Sequence, residues 1–309
     1  MNKQIRKDSL WRDAFRRLLK NKIAVVGGVF IILLALTAIF APVIAPYHYG
    51  DGDFDKTYAP PGKDFLLGAD FLGRDMLSRL IYGSRISLMV GTFGALFAFT
   101  IGILYGTISG FVGGKTDNIM MRIVDVLYAF PGLLFIILLM VTFKSGFTGE
   151  ALQNPFVRFI AALDKRMGGM LFIMIGISLT SWVGMARLSR GMALSLRETE
   201  FIQAAQALGA RNLRIVVRHL VPNLVGPMLV RVTLAIPGYI STEAFLSFIG
   251  LGVDPPTPSW GMMIAEGFKA MRSHPHLALF PGIALALVML SFNFLGDGLR
   301  DALDPRMKQ

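Results

Sequence analysis

Four stretches of this chain, 23–50, 86–114, 167–186 and 273–296, contain no Asp, Glu, Lys or Arg. Each reaches the roughly 20 residues that a helix rising 1.5 Å per residue needs to cross hydrocarbon. A soluble domain of 309 residues would carry more than 17% charged residues to cover its surface. The blocks therefore predict an all-α, polytopic membrane protein. Six transmembrane helices are expected, at about 23–46, 86–112, 118–142, 169–188, 223–250 and 277–297. The third and fifth are interrupted by charge. Arg122 and Asp125 are three residues apart on one helix face and are expected to pair with each other. Arg231 and Glu243 lie within the fifth.

The net charge of +11 is a topology signal rather than a nucleic-acid surface, because eight of the 31 Lys and Arg precede the first span. With the N-terminus inside, cytoplasmic pieces hold 19 of these cations and external loops 10, which predicts an N-in, C-in arrangement. One external segment, 143–168, is more basic than that rule expects, with Lys144, Arg158, Lys165 and Arg166. There is no zinc finger and no basic stripe on a soluble domain, so no nucleic acid is expected as partner. The absence of cysteine excludes disulfides, thiolate metal sites and cysteine nucleophiles. The first apolar stretch is too long for a signal-peptide core and reads as an uncleaved span.

The organisation expected is a basic tail over 1–22, a membrane domain over 23–297 and a C-terminal tail over 298–309. Leu10, Ala14, Arg17 and Leu18 give the first tail an interfacial helix. Within the domain, 47–85 reads as a turn-rich external loop and 189–222 as a cytoplasmic loop. The last external loop has room for a short helix near 260–272.

The passage "FIQAAQALGARNLRIVVRHLVPN", Phe201 to Asn223, is the strongest amphipathic segment. At 100° per residue, Phe201, Ala204, Ala205 and Leu208 share one face of a first short helix. Gly209 ends it in a left-handed turn, and a second helix starts near Asn212. There Leu213, Val216, Val217 and Leu220 oppose Arg211, Arg214 and Arg218, and Pro222 ends or kinks the helix. Wheel geometry leaves open whether this hairpin meets lipid headgroups or docks a cytoplasmic protein. The small residues Ala204, Ala205 and Ala207 favour protein packing.

Gln203-Ala204-Ala205, three residues, Gly209, nine more, then His219-Leu220-Val221-Pro222 resembles the EAA loop of permease subunits of ABC importers, with Gln203 where the family usually has Glu. "LGADFLGRDMLSRLIYGSRISLMVG" (67–91), "FLSFIGLGVDPPTPSWG" (245–261), "FNFLGDGLRDALDPR" (292–306) and "FAPVIAPY" (40–47) are similar to the C-type permease of dipeptide and oligopeptide importers. The resemblance implies a type I ABC importer permease bundle in a bacterial cytoplasmic membrane, and no catalysis by this chain. It implies a B-type permease as heterodimer partner, two cytoplasmic ATPase subunits that use ATP and magnesium, an external peptide-binding protein, and peptide as cargo. No cofactor is expected on this chain itself. The ATPase-docking residues carried over are Phe201, Ile202, Gln203, Ala204, Ala205, Leu208, Gly209, Ala210, Arg211, Arg214 and Pro222. Nickel or another small solute is the alternative cargo within the family.

Other chemistry is poorly supported by the residues. "SGFVGGKT" (109–116) has Ser109 where a phosphate loop needs glycine and follows an apolar span, so it reads as a turn. His274 and His276 lack a third ligand, so no metal is expected. An ion-coupled carrier would use an acidic residue at mid-membrane. Glu243 instead falls near the outer end of its span, beside Ser241 and Thr242, and Arg231 has no partner legible in the sequence.

Overall fold

The computed structural model describes residues 10–145 and 153–303. The cations Lys3, Arg6, Lys7, Arg306 and Lys308 lie outside the described residues, as does the side chain of Lys144. The described residues form thirteen α-helices. α1 (Leu10–Lys20) precedes α2 (Lys22–Ile39) and the single turn α3 (Ala41–Ile44). α4 (Met76–Val112), α5 (Gly114–Ala129), α6 (Gly132–Ser145) and α7 (Pro155–Arg166) follow. Next come α8 (Leu171–Arg197), α9 (Glu200–Ala207), α10 (Asn212–Ile215) and α11 (Val221–Phe248). The chain closes with α12 (Trp260–Lys269) and α13 (His276–Leu303).

Five helices are long and apolar enough to cross a membrane, and a sixth crossing is made if α5 and α6 count as one broken span. The break has a local cause. Pro131 bars a helical conformation at Phe130, which is extended at φ −84°, ψ 131°, and the two halves meet at 78°. Two spans exceed their expected bounds. α4 starts at Met76 rather than near 86, because Asp75 caps it by accepting from the Ser78 N–H at 2.7 Å. α8 continues to Arg197, so about the first quarter of the expected 189–222 loop is helix. The expected tail from 298 likewise continues α13 to Leu303. Of the basic segment before α8, Pro155–Arg166 is a helix rather than a loop: α7 ends on Lys165 and Arg166, where cations complement the helix dipole.

The core is the parallel pair α4 and α8. Gly94, Ala98, Gly102, Gly106 and Gly110 recur every four residues on α4 and turn one small-residue face to α8. A side chain at Gly94 would meet Ile177, one at Gly102 Met185, and one at Gly110 the Arg190 carbonyl. Gly106→Val should therefore force the pair apart and cost about 3 kcal/mol by overpacking. Melting of the detergent-solubilised protein checks this, with Gly184→Ala, where nothing lies within 4 Å, as the near-neutral control.

α11 packs on α4, and α2 and α13 close the opposite flank, where Gly27 approaches the Ser291 carbonyl. α1 lies along α13 with Ala14 buried and Trp11, Phe15 and Leu19 outward, as an interfacial helix requires.

At the end away from residues 199–222, three buried charged side chains and one partly buried, Glu266, come together. Asp70 accepts from Arg74 Nε at 2.7 Å and pairs with Arg79, while Arg79 also reaches Glu266 on α12 at 2.7 Å. Glu243, expected near the outer end of its span, lies at that end of α11 but is fully buried, and its hydrogen-bond partners are not its neighbours Ser241 and Thr242. It takes hydrogen bonds from Ser247 at 2.7 Å, from Ser87 of α4 at 3.3 Å and from Ser259, the N-cap of α12. One carboxyl group thus joins α4, α11 and α12. Glu243→Ala should cost about 2–3 kcal/mol by stranding buried hydroxyls, whereas Glu243→Gln keeps an acceptor and should cost under about 1 kcal/mol. Thermal melting of the purified variants reads both.

Candidate functional site

The 199–222 passage is built as two short helices joined by a tight turn. α9 ends in a Schellman motif: Gly209 at φ +77° donates to the Gln206 carbonyl at 2.9 Å, and Ala210 donates to Ala205 at 3.1 Å. That pairing draws Ala205 and Ala210 inward against the core under the loop. The helix wheel put Ala205 on the outward face with Phe201, Ala204 and Leu208. The structure instead turns Ala205 toward fully buried Ile202 and leaves Phe201, Ala204 and Leu208 outside.

The second half differs more. α10 begins at Asn212 with Arg211 as its N-cap, and Val216–Leu220 is a π-helical turn that runs on into α11. Pro222 does not end the helix. It has no N–H to give Arg218 and its ring would strike that carbonyl, and the wider π turn accommodates both. Asn223 then caps the His219 carbonyl with its side-chain amide at 2.6 Å. The insertion rotates the apolar face, so that Ile215, Val216 and Leu220 are buried while Leu213 and Val217 are exposed.

The passage consequently has an inner and an outer surface. Ile202, Ile215 and Leu220 pack with Phe111 of α4, Ala193 of α8 and Leu224 of α11. Arg197 ties the loop's start to the end of α4 by donating to the Phe111 carbonyl at 3.3 Å. Outward stand Leu208, 88% exposed, and Leu213, 72% exposed, beside Phe201, Arg211 and Arg214. Gln203 is exposed and donates to the Glu198 carbonyl at 3.3 Å. Exposed leucines flanked by cations thus stand at the tip of a turn anchored to the bundle, an apolar patch that the chain itself leaves uncovered.

Above the loop, α8 meets α5 and α6 on one side and α11 on the other, and the open face between these contacts forms a groove. α8 forms its floor, where Gly184 and Gly191 have open space at the Cβ position. On one side Gly132 of α6 approaches Thr180, and Arg187 donates to Asp125 at 2.7 Å while stacking over Tyr128 at 4.1 Å. On the other, Tyr239 of α11 reaches Ser181. Asp125 therefore pairs with Arg187 and not with Arg122. Nearer the loop, Asp117 accepts a bidentate pair from Arg190 and a 2.6 Å bond from Ser109, which fastens α5 to α4 and α8. Arg187 and Arg190 both lie inside α8. Sequence reasoning missed Asp117, whose only signal was an acid in the first turn of a helix.

Arg231 lies ten residues into α11, about 15 Å from its start, and is exposed. Among the described residues it has no salt bridge or hydrogen bond. A lipid-facing arginine at that depth costs roughly 3 kcal/mol, so this face borders water or protein. The contrast with α2 and α13 is sharp. Their exposed residues, such as Ile32, Leu33, Ile283 and Leu287, are large and apolar, as lipid contact requires.

The remaining candidates have plain structural places. "SGFVGGKT" forms the turn from α4 to α5, with Gly113 and Gly114 at positive φ. His274 stacks on Tyr58 at 4.7 Å, and His276 lies against Gly68.

Comparison with known proteins agrees with this architecture. Residues 102–309 match the family described as binding-protein-dependent transport system inner membrane component, and residues 9–61 match the N-terminal TM domain of oligopeptide transport permease C. The chain is 42% identical over 301 residues to the oligopeptide transport system permease protein OppC of Bacillus subtilis, covering 97% of this chain and 91% of that one. It is 40% identical to the dipeptide transport system permease protein DppC of the same organism, with 97% and 87% covered. It is 38% identical to the glutathione transport system permease protein GsiD of Pectobacterium atrosepticum, with 96% and 92% covered. The fold is that of a type I ABC importer permease: an inward-facing MetNI methionine ABC transporter superposes with a TM-score of 0.55 at 17% identity, over 74% of this chain and 98% of that one. A bundle of apolar helices, a two-helix loop with an outward apolar tip, and these matches lead to one conclusion: the chain is a multi-pass protein of the bacterial inner membrane and belongs to the family of binding-protein-dependent transport system inner membrane components.

Proposed function

We propose that this chain is one membrane half of an ATP-driven importer of peptides, paired with a B-type permease and served by two cytoplasmic ATPases and an external binding protein. The chain itself binds no nucleotide in this reading, and ATP and magnesium act in the ATPase subunits. Peptide is the cargo of the similar OppC and DppC proteins, and the glutathione relative carries a small peptide derivative.

One observation carries the reading. The loop that exposes Leu208 and Leu213 is anchored by Ile202 and Ile215 directly against α4, α8 and α11. A push on the docking tip therefore moves groove-lining helices as a unit, which suits rigid-body switching between outward and inward openings. The Asp117–Arg190 clamp extends that unit to α5.

The test is uptake of labelled di- and oligopeptides into proteoliposomes holding all the partners. Accumulation that needs ATP and binding protein supports the proposal. ATP-driven accumulation of nickel with no peptide uptake would replace the cargo. Accumulation by this chain alone, driven by an ion gradient, would replace the mechanism.

A further inference from the structure

Arg122 and Arg231 are exposed cations on the groove without an ion pair among the described residues, and Arg231 is the one on α11, the helix opposite the Arg187–Asp125 pair. At the middle depth of α5, α8 and α11, the wholly or partly exposed ionisable side chains are Arg122, Asp125, Arg187 and Arg231, three cations to one anion. Arg187 spends its charge on Asp125 and its plane on Tyr128. It lies ten residues before the end of α8, so it shares with Arg231 a depth of about 15 Å from the loop end of the bundle. Residues that leave room line the groove on either side of that depth, at about 9 Å (Gly191), about 20 Å (Gly184) and about 26 Å (Gly238) from the loop end. Gly184 and Gly191 on α8 and Gly238 on α11 have nothing of this chain within 4 Å of where a side chain would start. A mid-helix glycine weakens a helix, and no packing contact within the chain explains these three.

A groove with net positive charge, vacant space and an uncommitted planar fork of donors suits a carboxylate. We propose that Arg231 contacts the C-terminal carboxylate of the peptide as it passes the middle of the membrane. This inference rests on the peptide-importer reading and deepens it. A peptide's side chains vary and its terminal carboxylate does not, so one fixed cation serves a path that must accept many sequences. The contact is exposed to water in the groove, which keeps it weak enough to release.

The experiment uses the complete complex in proteoliposomes. It compares one tripeptide as the free acid and as the C-terminal amide, with each rate normalised to the wild-type rate for the same compound. Arg231→Gln should lower uptake of the acid about tenfold, as expected for loss of one charge-assisted hydrogen bond, and that of the amide less than about twofold. Arg231→Lys should recover much of the acid rate. Equal losses for acid and amide, or no loss for either, would overturn the proposal. Failure of Arg231→Gln to copurify with the second permease would also overturn it, by assigning Arg231 to the contact between the two subunits. If the wild-type complex imports no peptide, the importer reading fails along with this one. If it imports peptide without the predicted selectivity, only the role of Arg231 fails.

Discussion

Leu208→Gln should lower peptide import about thirtyfold or more while leaving membrane insertion and melting temperature unchanged. The side chain is 88% exposed and touches almost nothing in its own chain, so its replacement moves stability by less than about 0.5 kcal/mol. Seated in a partner's pocket, the same leucine would contribute about 2 kcal/mol of apolar burial, which converts to the thirtyfold. ATP hydrolysis by the partner subunits should continue, uncoupled from transport. Ala205→Arg, the probe that the helix wheel suggests, is a poorer choice. Ala205 supplies a carbonyl of the Schellman turn and packs inward, so an arginine there distorts the loop itself. Uptake and ATPase assays on one reconstituted preparation check the prediction. Equal loss of insertion and import would assign Leu208 a folding role instead.

Asp70→Ala should destabilise the protein by about 3–5 kcal/mol, the usual cost of stripping one partner from a buried ion network. Asp70 serves two arginines and also accepts from the Leu72 and Arg74 backbone at 2.8 and 3.0 Å. Without it, Glu266 alone faces two nearly inaccessible guanidinium groups, one of them at 3.4 Å. Glu266→Gln should cost less, because Asp70 still holds both. The expected result is a sharply reduced yield of folded protein for Asp70→Ala and a lower melting temperature for both. No change in either would mean that the network is not a determinant of stability.

Much of the fold was legible because one physical constraint dominates a membrane chain: apolar residues must run unbroken for the thickness of the bilayer. The charge-free blocks located α2, α4, α8 and α13, and Pro131 marks in the sequence where the third crossing breaks. The four-residue rhythm from Gly94 to Gly110 was equally present, and it specifies the α4–α8 contact once a partner helix is known. The loop was legible in outline and wrong in detail. A wheel assumes one continuous helix, whereas a Schellman end and a π turn each rotate the faces, which hid the inward roles of Ile202 and Ala205 and the exposure of Leu213. Ion partners were out of reach for another reason. Arg74 and Glu266 are 192 residues apart, and Arg187 and Asp125 are 62 apart. Sequence spacing suggested the local Arg122–Asp125 pair, and tertiary packing chose the distant one.

The central claim is that the outward tip of the 199–222 loop is seated in an ATPase subunit. The chain has no native cysteine, so Leu208→Cys creates a unique thiol. Treated with a short bifunctional cross-linker in membranes containing the whole complex, it should join this chain to an ATPase polypeptide, while Leu287→Cys on the lipid face should not. Reaction of the Leu208→Cys thiol with a lipid-dissolved reagent, and no cross-link to any ATPase, would contradict the account.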